Sequence, residues 1–140
     1  MDRVYRYDPG SRRLAVVADG LDKPNGLAFS PDESVLYLGD NGGPHRLLAY
    51  DVAAGSHLIA GRVVAELPPE HPDGIVVDGE GRIYASSGSG VRVFAPDGRP
   101  LGEIAVPGAV NFTFGGPDLN VLFITADTAV WAAVLNATGS

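Results

Sequence analysis

A strand-opening tetrapeptide occurs twice in this chain, as Pro24-Asn25-Gly26-Leu27 and Pro72-Asp73-Gly74-Ile75. Each copy sets one oxygen-bearing side chain just ahead of a short apolar strand, and a turn and a second strand follow. A third, degenerate copy begins at Asn111. Asn25-Gly26-Leu27-Ala28-Phe29-Ser30-Pro31-Asp32 leads into Val35-Leu36-Tyr37-Leu38, and Asn111-Phe112-Thr113-Phe114-Gly115-Gly116-Pro117-Asp118 leads into Val121-Leu122-Phe123-Ile124 in the same spacing. The copies lie 48 and 38 residues apart. Periods of this length, with four strands to the unit, are the sequence sign of β-propeller blades.

The rest of the chain agrees with that register. Its apolar runs are short, rich in Val, Ile, Leu, Tyr and Phe, and bounded by Gly, Pro, Asp or Asn, which predicts strands rather than helices. Thirteen are expected, over 3–8, 14–18, 26–30, 35–39, 46–52, 58–66, 74–78, 82–86, 91–95, 101–106, 111–115, 121–125 and 129–135. The 19 Gly and 11 Pro recur at intervals, as turn punctuation does. Asp8-Pro9-Gly10, Pro31-Asp32-Glu33, Asp78-Gly79-Glu80-Gly81 and Pro96-Asp97-Gly98 are hairpin connections. The expectation is one all-β domain over residues 1–140, a β-propeller fragment of about three four-stranded blades, or half of a six-bladed propeller. The first two strands read as the outer pair of a blade. Residues 25–66 and 73–106 read as complete blades, and 111–135 as a blade without its outer strand. Such an arc leaves apolar faces at its ends and an unpaired edge on its last blade.

Charge and composition narrow the function classes. A net charge of −7, with ten scattered basic residues, argues against a nucleic-acid partner, which needs clustered Lys and Arg. No apolar run is long enough to span a membrane. Cysteine is absent, which removes disulfides, thiolate metal sites and a Cys nucleophile. With no signal-peptide pattern at the N-terminus, a cytoplasmic protein is expected.

Blade geometry sorts the polar residues. The innermost strand of a blade starts at one rim of the central channel and the second strand returns to it. Residues just before the first strand and just after the second therefore share one mouth. That mouth collects Asn25, Asp40, Asn41 and His45, then His71, Asp73, Ser86, Ser87 and Ser89, then Asn111, Thr125, Asp127 and Thr128. Hard cations take six to eight oxygens from carboxylates, amide carbonyls and water, and such a ring suits them. A plainer reading stands beside this one. Asn or Asp before Gly is also an ordinary turn residue that bonds backbone N–H groups. Asn111, followed by Phe, fits a structural polar role; Asp40 fits a hairpin end; His45 and His71 fit exposed loops. Nucleophile-elbow, zincin, P-loop and EF-hand patterns are missing.

Four segments together resemble one family. Pro24 to Asp32, Leu36-Tyr37-Leu38-Gly39-Asp40, Pro72-Asp73-Gly74-Ile75, and Phe114-Gly115-Gly116-Pro117-Asp118 with Leu122-Phe123-Ile124-Thr125 are similar, in order and spacing, to the C-terminal half of the gluconolactonase and regucalcin (senescence marker protein) propeller. The resemblance implies a metal-dependent hydrolase of sugar lactones or related esters. It implies that Asn25 and Asp73 are metal ligands, with Asp73 also the catalytic ligand or general base. Asp40, Asn41, His45, His71 and Asn111 are then expected around the substrate. The implied metal is Ca²⁺, with Zn²⁺ or Mg²⁺ as alternatives. The family's third protein ligand, a Glu from an early strand, has no counterpart in these residues. The expectation is accordingly of a lactonase completed by a second copy of the chain or by a complementary N-terminal half. The alternative is a non-catalytic propeller fragment or binding module that keeps the fold without the whole metal site.

Overall fold

The computed structural model describes every residue except Gly55 and Ser56. Among the described residues it contains thirteen strands and no helix. They are β1 (Asp2–Asp8), β2 (Arg13–Leu21), β3 (Pro24–Phe29), β4 (Val35–Asp40), β5 (Arg46–Ala53), β6 (His57–Glu66), β7 (Ile75–Val77), β8 (Ile83–Ser86), β9 (Val91–Phe94), β10 (Pro100–Ile104), β11 (Ala109–Gly115), β12 (Val121–Ala126) and β13 (Val130–Val134). The expected strands are all present, with ends shifted by a few residues.

Four antiparallel sheets follow in chain order. The first pairs β1 with β2, the second runs β3-β4-β5-β6, the third β7-β8-β9-β10, and the fourth β11-β12-β13. The grouping is the expected one: an outer pair, two full blades and a blade short of its outer strand. The innermost strands stand side by side, β3 against β7 and β7 against β11, as the walls of a propeller channel do. The turns that join strands are closed by the expected Asp side chains. Asp8 Oδ1 accepts the N–H groups of Gly10 and Ser11, Asp32 Oδ1 that of Ser34, and Asp97 Oδ1 that of Arg99.

The core is divided between the sheets. Ala18, Leu21, Leu38 and Leu48 pack the first sheet on the second. Tyr37, Leu47, Ala49, Leu67, Ile75, Ile83 and Phe94 pack the second on the third. Tyr84, Val91, Ala109, Phe112, Leu122 and Ile124 pack the third on the fourth. Both faces of a middle blade are therefore covered. That is why β4, with Leu36, Tyr37 and Leu38 all buried, is a continuous apolar run and not an alternating one. Tyr37 serves one interface and Leu38 the other.

The two ends of the channel differ. At the finishing end of β3, β7 and β11 the inner strands line a cavity of about 450 Å³, bordered also by Gly139 and Ser140. The C-terminal tail crosses there: Gly79 N–H donates to Thr138 O at 2.8 Å, and Ser140 Oγ donates to Val77 O at 3.0 Å. At the starting end the polar residues gather.

Candidate metal and substrate site

The site begins with two adjacent glycines on the first full blade. Gly26 lies within β3, and a Cβ built on it would come 2.2 Å from the carbonyl oxygen of Asp73. Gly39 lies within β4, and a Cβ there would come 2.4 Å from the carbonyl oxygen of Pro72. Neither position has room for a side chain, so the Pro72-Asp73 backbone is seated directly on the first blade. The Gly of the repeated motif is thus a close-approach residue rather than a turn residue. Ser86 holds the same segment from its own blade: its Oγ accepts the N–H groups of Asp73 at 2.8 Å and Gly74 at 3.0 Å.

With the backbones so placed, three side chains converge. The amide Nδ2 of Asn25 donates to Asp73 Oδ1 at 2.5 Å, and the Nδ2 of Asn41 donates to the same oxygen, also at 2.5 Å. Asn25 is exposed at the mouth, Asp73 is half-buried and Asn41 is buried. The Oδ1 of Asn41 is buried without a hydrogen-bond partner. Of the thirteen polar residues expected at this mouth, these three make the central contact.

Asp40, next in sequence to Asn41, faces another way. It is fully buried, its Oδ1 accepts the N–H groups of Asp22 at 3.0 Å and Lys23 at 2.8 Å, and its Oδ2 meets Arg46 Nη2 at 2.7 Å. Burial is the largest single influence on its carboxyl and pushes it up. The Lys23 N–H, Arg46 and the Asp22 N–H together outweigh burial and hold it below the ordinary carboxylate range. Asp40 thereby clamps the segment before Asn25 to the segment that carries Asn41. Two further bonds complete the clamp: Asn41 N–H to Lys23 O at 2.9 Å, and Gly43 N–H to Asp22 Oδ2 at 2.7 Å.

The two histidines meet each other. The rings of His45 and His71 stand edge to face with centroids 4.4 Å apart. His45 has a left-handed backbone, φ 45°, which is uncommon for a residue with a side chain. Its Nδ1 is buried without a partner. Beyond His71 and Asp73, a cleft of about 400 Å³ opens, lined by Glu70, Ser87 and Asp127 among others. Glu70 was not signalled by any sequence motif. Its Oε1 accepts Ser89 Oγ at 3.2 Å, and Arg92 Nη1 stands 3.6 Å from its Oε2, an ion pair without a hydrogen bond. Asn111 lies at the edge: its Oδ1 accepts the N–H of Phe112, and its carbonyl accepts Thr125 Oγ1.

The donors fit a hard cation rather than a soft one. Among the described residues no three of His, Cys, Asp and Glu come together as a metal cluster. The convergent set is one carboxylate with two amides, all oxygen-capable, and one of those amides carries a buried oxygen still lacking a partner.

The class is defined by an arc of propeller blades that brings two amides and a carboxylate together at one channel mouth. The sequence matches the SMP-30/Gluconolactonase/LRE-like region over residues 1–128, and the chain belongs to that family. It is 36% identical to the lactonohydrolase oryH of Aspergillus oryzae, across 97% of this chain and 34% of the relative. It superposes on the gluconolactonase XC5397 of Xanthomonas campestris with a TM-score of 0.86 at 42% identity, covering 95% of this chain and 44% of that one. Regucalcin of Agrobacterium tumefaciens, described as a calcium-binding protein, shares the fold with a TM-score of 0.82 at 22% identity, covering 99% of this chain and 54% of that one. The chain spans between a third and just over half the length of these proteins.

Proposed function

We propose that this chain carries the C-terminal share of a lactone-hydrolase site, with Asn25 and Asp73 as ligands of one divalent cation, Ca²⁺ in the first instance. The observation that carries the reading is the meeting of Asn25 and Asp73 side chains, from two different blades, at the channel mouth of a chain 42% identical to a gluconolactonase. The oxygen-only donor set and the calcium-binding description of the Agrobacterium relative favour Ca²⁺ over softer metals.

Held by Asn25 and Asp73, a divalent cation would supply Lewis acidity to a lactone carbonyl and to attacking water. The chain's own residues supply the rest. Asp73, its backbone pinned by Ser86 and by the glycine seats, holds one carboxylate oxygen at a fixed point. It serves there as ligand or as the base that takes a proton from attacking water. Asn25 and Asn41 orient that oxygen. The cleft past His71, with Glu70, Ser87 and Asp127 on its walls, offers carboxylate and hydroxyl groups to the hydroxyls of a sugar lactone.

Two ligands leave most of a Ca²⁺ shell to other groups. The activity is therefore assigned to a completed propeller, formed with a second copy of the chain or with a complementary N-terminal half. Hydrolysis of a sugar lactone, followed with and without Ca²⁺ and with a chelator, tests the reading. Activity should vanish with the chelator and in Asp73→Ala. Hydrolysis indifferent to both would refute the cation mechanism. A folded chain that binds no divalent ion and hydrolyses no lactone in any assembly would leave the non-catalytic module as the correct reading.

A further inference from the structure

Asn41 combines three properties that a wall residue does not need. It is 5% exposed, its Nδ2 lies 2.5 Å from Asp73 Oδ1, and its Oδ1 is buried with no donor. Buried carbonyl oxygens are ordinarily satisfied. Its backbone is fixed by the Asn41 N–H bond to Lys23 O and by the Asp40 clamp on one side and Gly43 on the other. What remains adjustable is the amide plane. Oxygen and nitrogen of a carboxamide are nearly the same size, so a half-turn about Cβ–Cγ exchanges them with little change in packing.

The two orientations have different electrostatic partners. With Nδ2 forward, the amide neutralises Asp73 Oδ1 by a hydrogen bond. With Oδ1 forward, an amide oxygen faces a carboxylate oxygen, which is repulsive unless a positive charge lies between them. A hard cation accepts amide carbonyls as readily as other neutral oxygens. We propose that Asn41 is a further protein oxygen donor of the cation site, presented by an amide flip that accompanies cation binding. The proposal rests on the cation reading for Asn25 and Asp73 and adds a ligand to it. The unpartnered Oδ1 is the atom that the flip would present.

Calorimetric titration of Ca²⁺, Mg²⁺ and Zn²⁺ into the full chain and its variants tests this, with melting curves taken alongside. Asn41→Ala should weaken binding of the best-bound ion by about tenfold or more. Asn41→Asp, which keeps oxygen and removes the N–H, should retain or tighten affinity. It should also lower the melting temperature in chelator, because two carboxylates then face each other, and give a larger upward shift on adding metal than the wild type. The side-chain amide resonance of Asn41 should move on metal addition, which keeps the test open if the alanine variant folds poorly. Affinity within about twofold of wild type for Asn41→Ala, while Asp73→Ala loses binding, overturns the role of Asn41 and leaves the cation reading standing. Loss of affinity in Asn41→Asp equal to that in Asn41→Ala also overturns it, since only the N–H would then matter. Absence of binding in the wild type, or wild-type affinity in Asp73→Ala, overturns both.

Discussion

Asp40 ends β4 and Asn41 is the next residue, and they do unlike work because successive side chains of extended backbone point to opposite faces. Asn41 reaches the mouth; Asp40 turns inward to Arg46 and to the N–H groups of Asp22 and Lys23. Removing its charge strands Arg46 and loosens the segment before Asn25. Asp40→Asn should cost about 3 kcal/mol in denaturant unfolding, the lower end for a broken buried pair because Arg46 keeps some access to water. The pH dependence follows from the depressed carboxyl. Its contribution is fully present above the unfolded carboxylate value of about 3.9 and is lost as pH falls through the lower folded value. Acid titration of stability should therefore be shallower in Asp40→Asn than in the wild type. An equal slope would show that Asp40 carries no such linkage. A second buried carboxylate, Asp78, organises the far end of the channel through Arg82 Nε at 2.6 Å and Tyr84 Oη at 3.0 Å. Burial, then the Asp78 charge, pushes the Tyr84 hydroxyl up to about 12.

At the scale of the element, the repeated motif works as a joint between blades. Pro-Asn-Gly and Pro-Asp-Gly read equally well as turns when only the sequence is considered. In the structure Gly26 lies inside β3, and the missing side chain makes room for the Asp73 carbonyl of the next blade. Gly74 does the same for the backbone of Val110 and Asn111. In the third copy the matching position is Phe112, which is buried in the interface with the preceding blade. Gly26→Ala should force β3 away from the Asp73 segment and so separate Asn25 from Asp73. A loss of about 1–3 kcal/mol, the usual range for overpacking, is expected together with weaker Ca²⁺ binding. Unchanged stability and affinity would mean that the joint yields without cost. This inter-blade role was not legible because the contact lies 47 residues away in the chain, and local pattern carries no information on such an approach.

For the whole molecule, the ends of the arc matter most. The first sheet exposes Tyr5, Tyr7 and Leu14, and an apolar cavity of about 300 Å³ lies between it and the first full blade, lined by Val4, Leu27, Phe29, Leu36 and Leu58 among others. The last sheet exposes Val130, Trp131 and Val134 on β13, its edge strand among the described residues. Middle blades cover both faces, and these two sheets do not. Apolar surface of this kind marks an interaction face; in the completed propeller proposed above, a second copy would cover it by two-fold symmetry, the commonest closed pairing. Light scattering at micromolar concentration should report a mass above the 14.5 kDa of one chain. Trp131, the single tryptophan, should move to a less polar environment as concentration rises, and Trp131→Glu should lower the mass. A folded, stable monomer over the same range would remove association from the proposal.

Strand number, blade grouping and the polar mouth are all written in local pattern: short apolar runs, Asp-closed turns and a recurring tetrapeptide. Strands and turns depend on neighbours a few residues apart and the blade grouping on the repeat of one motif, so the sequence by itself determined them, and with them the propeller architecture and the appearance of Asn25 and Asp73 at the same mouth. The tertiary structure alone decided the division of labour within that mouth. It sent Asp40 to Arg46 and Asn41 to Asp73, paired His45 with His71, and brought Glu70 to the cleft wall. The physical reason is that a side chain's role here is set by which blade packs beside it and at what distance. Gly26 and Gly39 fix that distance by letting backbone meet backbone.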